Sequence, residues 1–185
     1  MKNAKLGVLP APHILPVWLQ ADLRSDHAGE AGAIWIYKGI LQVTKDADIQ
    51  AFAREHLEQE RQHFLLFDQW LPERLKSRIL LLWQFCGWLL GCTIALMGRQ
   101  TVYITIDAVE RFVVLHYDEQ IARLQSHQDF AEITLILQQF QHDEQRHRQE
   151  ASSNCTVDTD RWAVKIWQQL IGGGSALAVY FARRL

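Results

Sequence analysis

From Leu23 onward, apolar positions recur at three- and four-residue steps. Leu23, His27, Glu30, Ile34, Tyr37 and Leu41 fall on one stripe of a helix. Pro10, Pro12 and Pro16 forbid a continuous helix before it, so residues 1–16 are expected to form an extended lead-in. Thr44-Lys45-Asp46 interrupts the pattern, and Pro72 stops the next one. Between them a second helix is expected over about 46–70, with Leu57, Glu60, Phe64 and Phe67 on its stripe and His63 beside it. A third is expected over about 100–126, where Ile106, Glu110, Val113, Tyr117, Ile121 and Leu124 share a face. A fourth, over about 129–151, aligns Ile133, Leu137, Phe140, Glu144, His147 and Ala151, and Ser152-Ser153-Asn154 is expected to break it. Few β-branched runs alternate with period two, and with 4 Pro and 10 Gly the chain reads as all-α.

Two segments differ from these four. Between Arg78 and Arg99 stand twenty residues without a charge, among them Trp83, Phe85, Trp88, Leu89, Leu90 and Met97. That is the length at which a membrane span becomes conceivable. Gln84, Gly87, Gly91 and Thr93 dilute it, however, and both flanks are basic. A helix at a membrane interface is the leading expectation for 79–98, with a buried core helix and a span as alternatives. The last helix, about 159–183, contains Gly172-Gly173-Gly174 and ends in the apolar run Ala176 to Ala182, closed by Arg183-Arg184. It can pack on the bundle or lie on lipid. Residues 17–185 thus read as one domain: four periodic helices plus extra helices at about 75–98 and 159–183.

Composition narrows the function classes. The 185 residues carry 19 Lys+Arg against 21 Asp+Glu, with no basic block, which argues against a nucleic-acid partner. Cys86, Cys92 and Cys155 make neither an even set nor a Cys-x-x-Cys pair. A disulfide framework and a thiolate zinc site are both disfavoured, and a reducing compartment is expected. No secretory or transit peptide is read at the start. Without a targeting segment the sequence suits a bacterial cytoplasmic face better than an organelle.

The chemistry lies in two Glu-x-x-His units, Glu60-Arg61-Gln62-His63 and Glu144-Gln145-Arg146-His147. At i, i+3 both side chains leave one helix face and can reach one metal ion. From 10 Glu and 8 His, chance alone supplies about 0.4 such pairs, so one unit by itself is weak. The arrangement is stronger. Each unit falls on its helix's apolar stripe, and each is preceded one helix earlier by a single Glu on such a stripe, Glu30 and Glu110. A carboxylate on a core face is costly unless paired or metal-bound, and four together repel. Two divalent ions would neutralise them. One Glu from each of two helices, plus Glu-x-x-His from each of two others, is the ligand plan of ferritin-like dinuclear carboxylate bundles. Four carboxylates and two imidazoles suit iron, with manganese as the alternative, better than zinc. The expected ligands are therefore Glu30, Glu60, His63, Glu110, Glu144 and His147.

With these residues in place the chain resembles the demethoxyubiquinone hydroxylase family, the di-iron monooxygenases of ubiquinone biosynthesis. The resemblance is carried by Asp26-His27-Ala28-Gly29-Glu30-Ala31-Gly32-Ala33, Glu60-Arg61-Gln62-His63, Ala95-Leu96-Met97-Gly98, Val109-Glu110, His116-Tyr117, Glu144-x-x-His147, and Ala178-Val179-Tyr180 with Arg184-Leu185. It implies a ferritin-like bundle in which two irons share Glu60 and Glu144, with Glu30–His63 and Glu110–His147 as terminal pairs. It also implies O2-dependent hydroxylation of a polyprenylated demethoxyubiquinol drawn from a membrane surface, and with it peripheral association with the inner membrane. Electrons would come from the quinol, a reduced nicotinamide or a partner, since no dinucleotide-binding glycine motif is present. A homo-oligomer or a larger biosynthetic complex is compatible with this reading. Ala31 and Trp35 depart from the family, which often has an aromatic after the Gly-Glu pair and a basic residue a little further on.

Further residues share the ligand faces. Tyr117 follows Glu110 by seven and is expected to act in redox chemistry or touch substrate; a core tyrosine with a satisfied hydroxyl is the plain alternative. His116 beside it is a candidate for the catalytic set, in a supporting or structural position. His27 is expected to hydrogen-bond rather than ligate. Asp107, three before Glu110, could accept a bond from a ligating imidazole or face solvent. A ferroxidase or a rubrerythrin-like peroxidase would share the ligands. A non-enzymatic membrane-interaction protein would leave them unexplained.

Overall fold

The computed structural model describes residues 9–185. Its helices are α1 (Val17–Val43), α2 (Ala47–Trp70), α3 (Leu80–Leu96), α4 (Arg99–Leu124), α5 (Ala131–Asn154) and α6 (Trp162–Ala182), and no strand occurs among the described residues. The lead-in is not extended throughout, because Pro12–Ile14 forms a short 3-10 turn before Pro16 caps α1. Residues 1–8 lie outside the described residues.

Local chemistry sets the boundaries. Asp46 caps α2, its Oδ1 accepting from the backbone N–H of Asp48 at 3.0 Å and of Ile49 at 3.2 Å. The same side chain receives Arg99 at 2.7 Å, tying the start of α4 to the start of α2. Expected from about 75, α3 starts only at Leu80, because Pro72 is followed by a separate turn, Glu73–Leu75. Gly98, at φ 101°, makes the left-handed corner into α4. Ser152-Ser153-Asn154 does not break α5. The Ser153 hydroxyl and the Asn154 amide both donate to the Glu150 carbonyl, at 3.0 and 2.9 Å, and the last turn closes on itself. Before α6, the Asp160 N–H donates to the Asp158 side chain at 2.9 Å and forms a turn, so the helix starts at Trp162.

The core has two apolar plugs with a polar layer between them. One contains Tyr37, Ile40, Ile49, Phe52, Tyr103 and Ile106. The other contains Leu19, Leu23, Phe67, Ile121, Leu137 and Phe140. Each of α1, α2, α4 and α5 passes from one plug to the other, and α1 and α5 run opposite to α2 and α4. Successive bundle helices α2 and α4 therefore run parallel, and α3 carries the chain back between them, as in ferritin-like crossovers.

α3 packs closely on α1. A Cβ on Gly87 would meet the Gly32 carbonyl, one on Gly91 the Ile36 carbonyl, and one on Gly39 the Trp88 carbonyl. Only glycine admits backbones this near. Its opposite face leaves Leu81, Leu82, Phe85, Leu89, Leu96 and Met97 exposed. α3 is thus neither fully buried nor, at 17 residues, long enough to cross a membrane. No helix among the described residues is long and apolar enough to do so.

Candidate metal centre

Each bundle helix places its polar residues where it changes plugs. Glu30 (α1), Glu60 and His63 (α2), Glu110 (α4), and Glu144 and His147 (α5) are all at most 4% exposed. Ligand atoms of Glu30, Glu60, His63 and Glu144 lie within 4.8 Å of one another, and so do those of Glu60, Glu110, Glu144 and His147. The two groups share Glu60 and Glu144. All six expected residues converge.

Both imidazoles turn Nδ1 inward. His63 Nδ1 lies 3.1 Å from Glu144 and 3.6 Å from Glu30; His147 Nδ1 lies 3.2 Å from Glu60 and 3.1 Å from Glu144. Buried Glu30 Oε2, Glu60 Oε1, His63 Nδ1 and Glu144 Oε1 find no aligned hydrogen-bond partner. Unpaired oxygen and nitrogen atoms pointing at a common centre are what a pair of hard or borderline cations requires, so the residues fit such a group.

A second ring of contacts crosses between the halves of the chain. His63 Nε2 meets Asp143 at 3.3 Å, and His147 Nε2 meets Gln59 at 2.7 Å, so each imidazole is oriented by the residue preceding the other unit's Glu. Tyr117 Oη donates to Glu30 at 2.6 Å and Tyr37 Oη to Glu110 at 3.1 Å, each tyrosine reaching the other half's carboxylate. His63 stacks on Phe140 at 4.0 Å and His147 on His56 at 4.2 Å. His56 continues outward, with Nδ1 3.2 Å from Tyr37 Oη and Nε2 3.0 Å from Glu150.

Electrostatics follow from this crowding. Burial and then repulsion from Glu144 push Glu60 and Glu110 well above the usual carboxylate range. Glu144 is held low: burial opposes ionisation, but the His147 and His63 imidazoles close beside it prevail. Burial works against the His63 cation, yet Asp143, Glu144 and Glu30 raise it well above the ordinary imidazole value. Burial drops His56 to about 3, with His147 adding to the effect. It also raises both Tyr37 and Tyr117, so their hydroxyls stay protonated donors.

Sequence reasoning missed Tyr37, Gln59, Asp143 and His56 in these roles. A signal existed for Tyr37, because Glu30 to Tyr37 repeats the spacing of Glu110 to Tyr117. Asp107 takes neither of its two expected positions, being buried rather than solvent-facing. It accepts from Arg148 at 3.3 Å, Arg111 at 3.3 Å and Gln168 at 3.2 Å, and from no imidazole. His27 stacks on Phe64 and bonds Asp68 at 3.1 Å, away from the cluster. His116 Nε2 lies 3.3 Å from Ser25 and 3.2 Å from Asp26.

A cavity of 380 Å³ walled by α1, α3, α4 and α6 reaches the cluster, with Glu30, Tyr117 and Glu144 in its lining. Ser25, Asp26 and His116 supply further polar wall; Gly29, Gly32, Ile36, Leu90, Val109 and Val113 are typical of the rest. Cys86 and Leu170, both exposed, bring it to the surface between α3 and α6. The volume falls within the roughly 300–1,000 Å³ of small-molecule sites.

Comparison with known proteins agrees with this geometry. The sequence profile of the family described as ubiquinone biosynthesis protein COQ7 matches residues 18–182. A 3-demethoxyubiquinol 3-hydroxylase of Rhodospirillum rubrum is 30% identical over 167 residues, covering 88% of this chain and 76% of that protein. The human NADPH-dependent 3-demethoxyubiquinone 3-hydroxylase is 28% identical over 167 residues, with the same coverage. A Dictyostelium discoideum protein of the same name is 35% identical over 128 residues, 68% of this chain and 59% of its own length. A match spanning every helix and both Glu-x-x-His units makes this chain a member of the ubiquinone biosynthesis protein COQ7 family.

Proposed function

We propose that the chain is a 3-demethoxyubiquinol 3-hydroxylase, an O2-dependent monooxygenase of ubiquinone biosynthesis. The observation that carries this is the opening of two linked metal-fit groups into an apolar cavity sized for a small organic ring. A ferroxidase or peroxidase has no need of such a cavity beside its metals. Glu60 and Glu144 would be shared by two irons, Glu30 with His63 and Glu110 with His147 completing each position. Manganese suits the same donors. Bound iron would supply the redox chemistry that activates O2.

The chain's own residues do the rest. Asp143 and Gln59 fix which nitrogen each imidazole turns inward. Tyr117 and Tyr37 hold the terminal carboxylates of Glu30 and Glu110 in place by hydrogen bonds. The two apolar plugs exclude water from both ends of the polar layer. α3 and α6, which both line the cavity, also expose apolar side chains including Phe85, Leu89, Leu177 and Phe181, and these favour peripheral seating on a membrane. A polyprenyl tail would then stay in lipid while the ring enters. Electrons reach the site from the quinol, a reduced nicotinamide or a partner; several relatives are named NADPH-dependent.

The test is anaerobic reduction of the iron-loaded protein, followed by isotopically labelled O2 and a short-chain demethoxyubiquinol. The expected product carries one labelled oxygen on the ring. Consumption of O2 or peroxide without that product overturns the assignment.

A further inference from the structure

Asp26 lies four residues before Glu30 on α1, a rise of about 6 Å along the helix, and both line the cavity. It is only 4% exposed. Its Oδ1 accepts from Gln120 Nε2 at 2.7 Å and faces His116 Nε2 at 3.2 Å. Its Oδ2 is buried and has no partner. A buried acceptor left without a donor is costly and rare in folded proteins. The neighbouring Ser25 hydroxyl cannot relieve it, because it donates to the Asp22 carbonyl at 2.7 Å. Nor does the metal-fit cluster use it, since Asp26 belongs to neither group. From α3, the Trp83 indole N–H is likewise buried without a partner, and Trp83 lines the same cavity. Apart from the Glu30 and Glu144 oxygens that belong to the metal-fit groups, the cavity thus holds an unpaired acceptor on α1 and an unpaired donor on α3.

We propose that Asp26 Oδ2 accepts a ring hydroxyl of the bound quinol, so that the cavity holds the reduced ring in preference to the oxidised one. The proposal rests on the function above and adds a redox preference to it. A quinol offers an O–H to the carboxylate and an ether oxygen to the Trp83 N–H. The matching quinone, two hydrogens poorer, sets a carbonyl oxygen against the carboxylate oxygen, and the two repel. Gln120 and His116 keep Asp26 in place, which makes them positioning residues for this contact. With one hydroxyl fixed on Asp26, the neighbouring ring carbons extend along α1 toward Glu30.

The test is anaerobic calorimetric titration of the full chain, metal-free and loaded with redox-inert zinc(II). The titrants are a short-chain demethoxyubiquinol and its quinone. Wild type is expected to bind the quinol about tenfold or more tightly than the quinone. Asp26→Asn is expected to abolish or invert that ratio, because an amide N–H donates to a carbonyl. Trp83→Phe is expected to weaken both ligands while leaving the ratio in place. Equal binding of the two by wild type overturns the proposal and leaves the substrate reading standing, as does an unchanged ratio in folded Asp26→Asn. Failure of both ligands to bind overturns the substrate reading as well. Should Asp26→Asn not fold, the wild-type ratio alone decides.

Discussion

At the scale of single residues, the six members of the cluster were visible in the sequence because each puts a polar group on an apolar stripe, where nothing but pairing or a metal makes it tolerable. Their supporting contacts were not visible. Asp143 reaches His63, and Gln59 reaches His147, from a different helix, and no periodicity along one helix reports a contact across two. Asp107 shows the converse failure: its spacing from Glu110 suggested a role at the site, but arginines on α4 and α5 claim it. The repulsion stored in the cluster gives a direct prediction. Glu60→Gln removes one of the mutually repelling carboxylates while keeping its volume. It should raise the stability of the metal-free protein by about 1 kcal/mol or more, while abolishing stabilisation by added ferrous iron. Glu58→Gln, whose side chain is 63% exposed, should change neither. Parallel thermal melts with and without iron read both effects.

At the scale of elements, α3 was the segment the sequence left most open, and the reason is physical. Hydropathy counts side chains, whereas this helix is set by the side chains it lacks. Gly87 and Gly91 looked like dilutions of an apolar run, yet they are the surface that meets α1 backbone to backbone. Gly91→Val should force α3 off the Ile36 carbonyl at a cost of about 3 kcal/mol. It should also widen or collapse the cavity wall that α3 provides. Chemical denaturation measures the first effect, and loss of affinity for a demethoxyquinol measures the second. The end of α5 was misread for a similar reason: serines and an asparagine signal a break in sequence but here bond back to Glu150.

At the scale of the whole molecule, folding and metal binding are linked through protons. Glu60, Glu110, His63 and His147 all have folded values raised above their ordinary ones. The stability they contribute is full at low pH and is lost as pH climbs through those raised values. His56 and Glu144 are depressed, so their contributions are already complete above their ordinary values of 6.5 and 4.5. As pH rises above the ordinary imidazole value of 6.5, the melting temperature of the metal-free protein should therefore fall. Over the same rise in pH metal affinity should increase, because binding displaces the protons that the cluster retains. A rising melt of the metal-free form would contradict the stored repulsion. The all-α class, the four bundle helices and the convergence of the six residues were readable from the sequence, because long periodic stripes and paired motifs are local signals.

The crossed contacts make the two halves of the chain mutually dependent. The first half of the chain carries an acid, a tyrosine and a Glu-x-x-His pair, and the second half carries the same kit. Yet the first tyrosine serves the second acid, and the second tyrosine the first. A single half would lack every one of its own supports. Either hairpin expressed alone would therefore have to pair with a second copy before its acid and imidazole were held. The two halves are not identical: His56 and Gln59 on one side stand where Phe140 and Asp143 stand on the other, so the two imidazoles are stacked and oriented by different chemistry.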